Sequence, residues 1–242
     1  LSGPDFTVVT LSLSPADFVG LGAISGLATE RNDTFITLSA AAIDDTVGRD
    51  VTDITDGAGI RAKTFISDTT VPIVKSFSLD MSTAELILTF SEPINATSLL
   101  TNATFTLQSV WNLTAFPSAT QYTLAAATGA VSTDGTVATL TLGDADMNVL
   151  RADDGIATSN ANVFLRHSAQ SFTDFSGNRP VAVPVDSALQ IASNGFTADN
   201  VAPQLLQFDI NMNTGAVEMR FSEVIRLNTL NTTQLTFQDG AS

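Results

Sequence analysis

Apolar and polar residues alternate along residues 74–90, and this pattern guides the interpretation of the whole chain. The apolar positions of the two alternating runs are Phe77, Leu79 and Met81, then Leu86, Leu88 and Phe90. Successive side chains of a β-strand point to opposite faces, so each run has one apolar and one polar face. Two such runs joined by the short turn at 82–84 predict an antiparallel hairpin.

The same arrangement returns at residues 199–238 with the apolar phase preserved. Phe208 corresponds to Phe77 and Phe221 to Phe90, at the same offset in both cases (208 − 77 = 221 − 90 = 131). A slip by one position would turn every apolar side chain of a strand to its other face, so a preserved phase indicates a preserved structure. We predict that the buried residues are Phe77, Leu79, Leu86, Leu88 and Phe90 in one unit, and Phe208, Met219 and Phe221 in the next.

Residues 1–67 match the second part of the stretch that follows them. A strand pattern at Val9, Leu11 and Leu13 returns as Ala138, Leu140 and Leu142, at an offset of 129 (140 − 11). Self-similarity at a fixed period is the sequence signature of a repeat architecture. The chain therefore divides into the C-terminal part of one repeat (1–67), a complete repeat (68–198) and the N-terminal part of a further repeat (199–242).

Each repeat combines many short strands with one predicted helix. Asp144 begins a stretch in which Met147, Leu150 and Arg151 have helical spacing, and a weaker counterpart follows Pro15. Short strands at regular spacing, with turn residues between them, favour an all-β fold built of β-sandwiches.

Two phrases of the sequence resemble known repeats. The first joins a D-x-T-x-P opening to F-S-E-P-I, and its residues are Asp68, Thr70, Pro72, Phe90, Ser91, Glu92, Pro93 and Ile94. It resembles the tandem Ig-like repeats of surface-layer and adhesin proteins, although the later copy has Val224 where the first has Pro93. The second phrase, residues 140–165 with the DFSGN turn at 174–178, is similar to long repeats in algal or protist surface and mastigoneme-like filament proteins. This resemblance implies tandem Ig-like antiparallel β-sandwich repeats of about 130 residues, each with one short helix, in an extracellular or cell-surface protein.

The composition of the chain limits the kinds of partner that it can bind. The 242 residues carry a formal net charge of −15, and a negative surface repels the phosphate backbone of nucleic acids. No cysteine is present, which excludes disulfides, thiolate metal sites and cysteine nucleophiles. No apolar run is long enough to span a bilayer, and no signal peptide is visible. We expect neither nucleic-acid binding nor membrane insertion.

Few residues suit catalysis. His167 is the only histidine, which excludes a two-histidine metal site and a hydrolase triad with a histidine. A lone histidine on a strand is predicted to be structural or solvent-facing. Glu92 and Glu223 recur in separate repeats, whereas the paired carboxylates of glycosidases stand within about 10 Å of each other. We predict a protein that is not an enzyme and has no catalytic residues.

The densest acidic cluster surrounds the predicted helix. Its members are Asp144, Asp146, Asp153 and Asp154, with Asn148 as a further oxygen donor. Calcium binds six to eight hard oxygens, often from loops of this composition, but the spacing is not that of an EF-hand. Two interpretations stay open: a calcium site, or helix capping and solubility.

Five asparagines stand in N-x-S/T acceptor sequences for N-linked glycans: Asn32, Asn95, Asn102, Asn112 and Asn231. Asn102 and Asn231 occupy equivalent predicted turns, and Asn95 and Asn112 lie near predicted strand ends. The placement predicts glycosylation in a source with a secretory pathway. The alternative is that they are ordinary turn residues.

These features predict a structural building block of an extracellular filament, stalk or surface layer. Residues 199–242 supply the front strands of a repeat and residues 1–67 the back strands, so we expect head-to-tail contact between copies or adjacent repeats. The repeats are either covalently continuous or complemented between subunits. One alternative is a cell-surface adhesin that binds a glycan or protein ligand, for which exposed Trp111 and Tyr122 would form the platform. A weaker alternative is an accessory module of a carbohydrate-active enzyme.

Overall fold

The computed structural model describes residues 7–240, and most of its regular structure is β. The strands are β1 (Phe35–Ile36), β2 (Ile60–Arg61), β3 (Val74–Asp80), β4 (Glu85–Phe90), β5 (Phe105–Gln108), β6 (Gln121–Thr123), β7 (Thr128–Val131), β8 (Val137–Thr141), β9 (Phe164–His167), β10 (Leu189–Gln190), β11 (Phe196–Thr197), β12 (Leu205–Asn211) and β13 (Ala216–Phe221). The helices are α1 (Pro15–Gly22) and α2 (Asp144–Ala152). The chain is predominantly β, in agreement with the predicted all-β class. Residues 7–67, 68–198 and 199–240 are called the N-terminal, middle and C-terminal segments below.

The larger sheet of the middle segment has five strands in the order β11-β3-β4-β8-β7. β3 and β4 form the predicted antiparallel hairpin, in which Phe77 lies opposite Leu88. β4 also pairs with β8, so that Leu86 lies opposite Leu140. β11 joins the edge of β3 as a parallel strand. The hairpin expected from the alternation is therefore confirmed, and β8 completes it from far along the chain.

The second sheet has four strands in the order β10-β9-β5-β6, and every neighbouring pair is antiparallel. One hydrophobic core in the described chain draws on both sheets and on α2. The rings of Phe90 and Phe172 meet edge to face inside it, with their centroids 4.8 Å apart. The predicted burial of Phe77, Leu79, Leu86, Leu88 and Phe90 is confirmed.

Helix α2 covers one side of this core. Its apolar residues Met147 and Leu150 are buried, as expected for positions three residues apart on one helical face. Asp144 and Asp146 lie in the first turn, where negative charge interacts favourably with the helix dipole. The predicted helix is therefore present.

Helix α1 is the counterpart of α2 in the N-terminal segment, since their first residues differ in number by 129 (144 − 15). Ser14 and Asp17 form a capping box at its N-terminus, because the Ser14 hydroxyl accepts from the Asp17 backbone N–H while the Asp17 carboxylate accepts from the Ser14 N–H. Pro15 occupies the first turn, where it needs no hydrogen-bond partner. This local chemistry forms the helix although none of its residues is buried.

The short strand pairs outside the middle segment copy its pairings. In β12–β13, Phe208 lies opposite Met219, as Phe77 lies opposite Leu88 in β3–β4. In β1–β2, Ile36 lies opposite Ile60, and their counterparts Leu165 and Leu189 lie opposite each other in β9–β10. The local backbone preferences of these segments therefore give the same pairing with or without a covering layer.

The burial predicted for Phe208, Met219 and Phe221 in the C-terminal segment is wrong. The side chain of Phe208 is 51% exposed, whereas that of Phe77 is 2% exposed. Met219 and Phe221 are only half-buried. The reason is that β12 and β13 form a sheet of their own in the described chain, with no counterpart of β8 beside them and no second sheet over them. The contact on their apolar face comes from residues 235–237, where the rings of Phe208 and Phe237 lie 6.3 Å apart.

The strand predicted at residues 9–13 is also absent, since residues 7–14 adopt no regular structure. Its counterpart β8 is held between β4 and β7. A single strand has no hydrogen-bond partner of its own, so the sequence pattern forms a strand only where neighbours are present.

Phe77 and Phe208 occupy matching positions, and replacing each with alanine should change the free energy of unfolding by different amounts. Phe77→Ala is expected to lower the free energy of unfolding by roughly 3–5 kcal/mol, because it opens a cavity in the core. Phe208→Ala removes the same atoms from an exposed site and should change it by about 0.5 kcal/mol or less. Urea denaturation followed by circular dichroism measures both, and equal losses would contradict the assigned core.

Candidate functional site

The four aspartates of the predicted calcium site do not converge on one point. The buried Asp146 accepts hydrogen bonds from the Tyr122 hydroxyl (2.8 Å), the Ala125 N–H (2.8 Å) and the Ala126 N–H (3.0 Å). Burial, together with the hydrogen bond and charge of Asp146, raises the pKa of Tyr122 to about 12. These hydrogen bonds hold Ala125 and Ala126, which follow β6, against the first turn of α2.

The other three members of that cluster have separate roles. Asp153 accepts from the Gly155 N–H at 2.8 Å, Asp154 forms an ion pair with Arg226, and Asp144 lies exposed in the first turn of α2. No group of three close carboxylate ligands forms from these residues in the described chain. The structure does not assemble the predicted site at Asp144, Asp146, Asp153 and Asp154, because residues near in sequence point to different partners.

A different carboxylate cluster lies at the end of the middle segment. One oxygen each of Asp68, Glu92 and Asp174 lies within 4.8 Å of the others. Asp68 precedes β3, Glu92 follows β4, and Asp174 belongs to the turn after β9. Sequence reasoning missed this cluster because its members are far apart along the chain. The recurrence of Asp68 and Glu92 as Asp199 and Glu223 was the signal that could have found two of them.

The three members differ in exposure, since Asp68 is exposed, Glu92 is half-buried and Asp174 is buried. Asp174 is 3% exposed, and its two oxygens accept from the backbone N–H of Asn178 (2.8 Å) and from its Nδ2 (2.7 Å). Oε1 of Glu92 is inaccessible to water and has no hydrogen-bond partner. Burial, then the charges of Asp68 and Asp174, raise the pKa of Glu92.

Chemically, the three carboxylates can take up either a proton or a hard cation. None of them belongs to an ion pair among residues 7–240. Calcium binds carboxylate oxygens at about 2.3–2.6 Å, and ligand oxygens around one ion are then separated by no more than twice that length. The separation of at most 4.8 Å within the cluster lies inside this limit. Proximity of carboxylates is not evidence of a bound ion, and calcium binding stays a prediction.

The equivalent position at the other end of the middle segment already holds a cation. Asp199 and Glu223 are the counterparts of Asp68 and Glu92, at the offset of 131 seen for the hairpin (199 − 68 and 223 − 92). Arg151 on α2 lies between them, with Nε 2.7 Å from Asp199 Oδ2 and Nη1 3.3 Å from Glu223 Oε2. Its Nη2 also donates to the Met81 carbonyl at 3.0 Å. Burial raises the pKa of Glu223, and the charge of Arg151 opposes this effect.

A steric contact explains why the first cluster lacks such an arginine. Gly22 on α1 is the counterpart of Arg151, at an offset of 129 (151 − 22). A Cβ atom at Gly22 would lie 2.3 Å from the ring of Phe175, which is the residue after Asp174. Any side chain at position 22 would displace this ring, so α1 cannot supply the cation that α2 supplies.

His167 belongs to the core. It is buried, and its ring lies 5.4 Å from that of Phe172 and 6.3 Å from that of Phe105. Burial lowers its pKa, so the ring is neutral at pH 7. The prediction of a structural histidine is confirmed.

The five glycan acceptors differ in exposure. Asn32, Asn102 and Asn231 are exposed, whereas Asn95 and Asn112 are half-buried. The Oδ1 atoms of Asn95 and Asn231 accept from the hydroxyls of Thr97 (2.8 Å) and Thr233 (2.7 Å), the third residues of their acceptor sequences. The exposed three are therefore the better glycan acceptors.

Comparison with known proteins gives no relative. No family model matches the chain, and neither curated sequences nor solved structures give a match. Among residues 7–240, no helix has the length and apolar character needed to cross a membrane. Function is therefore inferred from the residues and contacts of this chain.

The acidic cluster should make stability depend on pH. A raised pKa of Glu92 means that ionisation of this group in the folded protein costs stability, and the cost appears as the pH rises through the folded pKa. In chelating buffer, Glu92→Gln should therefore raise the melting temperature at pH 7 by roughly a few degrees, and hardly at all at pH 4. Glu218 is exposed, so Glu218→Gln is the charge-matched control and should leave the melting temperature unchanged at both pH values. Calorimetry that finds the same shift at both pH values would contradict the coupling of these carboxylates.

Glycosylation is tested on the native protein. Intact-glycopeptide mass spectrometry should find N-linked sugar at one or more of Asn32, Asn102 and Asn231, the exposed acceptors. Occupancy at Asn95 and Asn112 should be lower, because a glycan on a half-buried side chain conflicts with the packing of the folded chain. Five bare acceptors in material from a secretory pathway would refute the prediction.

Proposed function

We propose that this chain is a structural, non-enzymatic building block of an extracellular filament, stalk or surface layer. Its units are tandem Ig-like β-sandwich repeats joined head to tail. The observation that carries this proposal is that two strand pairings each occur twice. Each occurs once in the covered middle segment, as β3–β4 or β9–β10, and once outside it, as β12–β13 or β1–β2. A segment that folds in its repeat geometry while its apolar face stays open is suited to receive a further segment.

The open faces lie at both ends of the chain and are complementary. The C-terminal segment exposes Phe208, Ile210 and Met212, and the N-terminal segment exposes Val9 and Leu11. In the middle segment, the counterparts of these two sets lie in one sheet, on β3 and on β8, with β4 between them. Contiguous exposed apolar surface marks a contact site. The two segments therefore expose apolar residues whose counterparts lie in one sheet of the middle segment.

Contact between unlike ends favours a linear assembly. A head-to-tail contact generates a filament unless the rotation closes a ring. The partly buried Arg151 pairs fix the C-terminal segment to α2, which favours a defined angle between successive units. The proposed partner is another copy of this chain or an adjacent repeat of the same polypeptide. An extracellular location is part of the proposal, and the resemblance of the sequence to surface repeats supports it.

The adhesin alternative is less well supported. It needs an exposed aromatic platform, for which Trp111 and Tyr122 are the candidates. Tyr122 packs against the core and donates its hydroxyl to Asp146. Trp111 is 53% exposed, but without Tyr122 it does not form a stacking surface for a ligand.

Assembly of the purified chain tests the proposal. We expect concentration-dependent association in analytical ultracentrifugation and linear particles by negative-stain electron microscopy. Phe208→Asp removes a contact worth about 1.5–3 kcal/mol, and should weaken association roughly 10- to 100-fold.

The matched control is Val181→Asp, which places the same charge at another exposed apolar residue, one in the middle segment. It should associate like the wild type. A wild-type chain that stays monomeric at all concentrations, or an equal loss in both variants, would contradict head-to-tail assembly.

A further inference from the structure

We propose that the end of each unit that carries an aspartate–glutamate pair is the docking surface for the helix of the preceding unit. The pairs are Asp68 with Glu92 and Asp199 with Glu223, and Arg151 on α2 occupies the second of them. This contact, and not the linking chain alone, fixes the orientation of successive units. The inference goes beyond the proposed function, since it concerns neighbouring units of one chain and holds whether or not separate copies assemble.

Arg151 joins three places in the chain through one guanidinium group. Its Nε lies 2.7 Å from Asp199 Oδ2, its Nη1 lies 3.3 Å from Glu223 Oε2, and its Nη2 donates to the Met81 carbonyl at 3.0 Å. Met81 belongs to the same unit as Arg151, whereas the two carboxylates lie before and after the β12–β13 hairpin. A planar guanidinium that is held in several directions has little rotational freedom. The contact therefore holds both ends of the hairpin at one point of the middle segment.

The Arg151 contact is shielded from water, unlike the other ion pair at this boundary. The side chains of Arg151 and Glu223 are 18% and 7% exposed, whereas those of Arg226 and Asp154 are 68% and 72% exposed. Removing one partner of a shielded pair leaves the other charge uncompensated, and this costs far more than the loss of an exposed pair. Arg151 is therefore the arginine on which the boundary depends.

Hydrogen bonds hold the linking chain to the middle segment as far as Asn200. The Ser82 hydroxyl donates to the Ala198 carbonyl at 3.1 Å and accepts from the Asn200 N–H at 3.1 Å. Within residues 7–240, no strand of the middle segment pairs with β12 or β13. Neighbouring units are expected to move relative to each other unless a contact between them prevents it. Beyond Asn200 the orientation of the hairpin therefore depends on side-chain contacts, and the shielded ion pair joins Arg151 to Glu223.

Helix α1 lies against the corresponding end of the middle segment. A Cβ atom at Gly135, in the turn between β7 and β8, would lie 3.0 Å from Val19 Cγ2 on α1 and 2.8 Å from the Cβ of Pro93, the residue after Glu92. Further along the helix, the ring of Phe175 fills the space beside Gly22. Here the contact is made by packing instead of by an ion pair.

The two helices place equivalent residues at the two boundaries. Gly22 and Arg151 are each the eighth residue of their helix, which begins at residue 15 in α1 and at residue 144 in α2. Both residues lie beside the end of the following unit that carries the aspartate–glutamate pair. The place of docking is therefore shared, and the residue at this helix position determines whether the contact is ionic or apolar.

Two spin labels test the role of Arg151, because the chain has no cysteine of its own. Thr128→Cys and Glu218→Cys place labels at exposed positions on β7 and β13. Double electron–electron resonance should give one narrow distance between them, with unlabelled chain added in excess to remove distances between copies. Arg151→Met removes the charge and keeps a long side chain, and this variant should lose the narrow distance because the hairpin then turns about the linking chain.

The matched control is Arg226→Met, which removes the exposed arginine of the same boundary and should keep the narrow distance. Glu223→Gln changes no residue of the middle segment and should lose the distance as Arg151→Met does. Labels at Lys75→Cys and Thr128→Cys, both within the middle segment, should keep their distance in every variant. An unchanged distance between Thr128→Cys and Glu218→Cys in Arg151→Met, or equal broadening in both arginine variants, would overturn the role of Arg151.

Moving the arginine to the first boundary tests the docking surface itself. Gly22→Arg alone should lower the melting temperature, because the ring of Phe175 occupies the space of the new side chain. In the Phe175→Ala background the guanidinium can reach Asp68 and Glu92, so Gly22→Arg should melt higher than Gly22→Met by roughly a few degrees.

The methionine variant controls for side-chain length without charge. High salt should reduce the difference between the two double variants, because it screens ion pairs. Equal melting temperatures in calorimetry at low salt would overturn the assignment of the Asp68–Glu92 pair as a site for a helix cation. Neither experiment requires assembly, so a chain that stays monomeric would contradict the filament proposal and leave this inference standing.

Discussion

The middle segment depends on the pairing of β8 with β4 and on the packing of the second sheet and α2 against their common apolar face. β4 lies at the centre of the larger sheet, and its apolar residues Leu86 and Leu88 are fully buried. Its neighbour β3 arrives through a tight turn, but β8 comes from much further along the chain, after β5, β6 and β7. The core closes only when the chain has supplied these distant strands. In the C-terminal segment the same hairpin forms without these strands, and its apolar face stays partly exposed.

Sequence periodicity predicted the hairpin, the short helices and the apolar face correctly, because these follow from local side-chain spacing. It could not predict whether that face is covered. Phe208 has the same sequence environment as Phe77 yet lies half in solvent, since burial depends on a strand that the C-terminal segment does not contain. The strand expected at Val9 and Leu11 is missing for the same reason. Alternation shows which side of a strand is apolar. Tertiary neighbours decide whether the strand forms and whether that side is buried.

The candidate site shows a second limit of sequence reasoning. Asp144, Asp146, Asp153 and Asp154 are close along the chain, but Asp146 is occupied by backbone donors and Asp154 by Arg226. The carboxylates that do meet come from three separate segments. Only the recurrence of Asp68 and Glu92 at a fixed offset marked part of this cluster, and recurrence gives no information on which third residue completes it.

Matching carboxylates lie at the two boundaries of the middle segment, and their charges are compensated differently. The pairs are Asp68 with Glu92 and Asp199 with Glu223. Asp199 and Glu223 hold a guanidinium because Arg151 projects from α2. At the other boundary the helix position is Gly22, and the ring of Phe175 fills the space that a longer side chain would need. The carboxylates there have no ion-pair partner among the described side chains, so their free energy depends on the protons and cations of the medium. Arg151 carries a permanent charge, which opposes the effect of burial on the pKa of Glu223. The difference between glycine and arginine at one helix position therefore decides whether a protein side chain supplies positive charge to the carboxylates of a boundary.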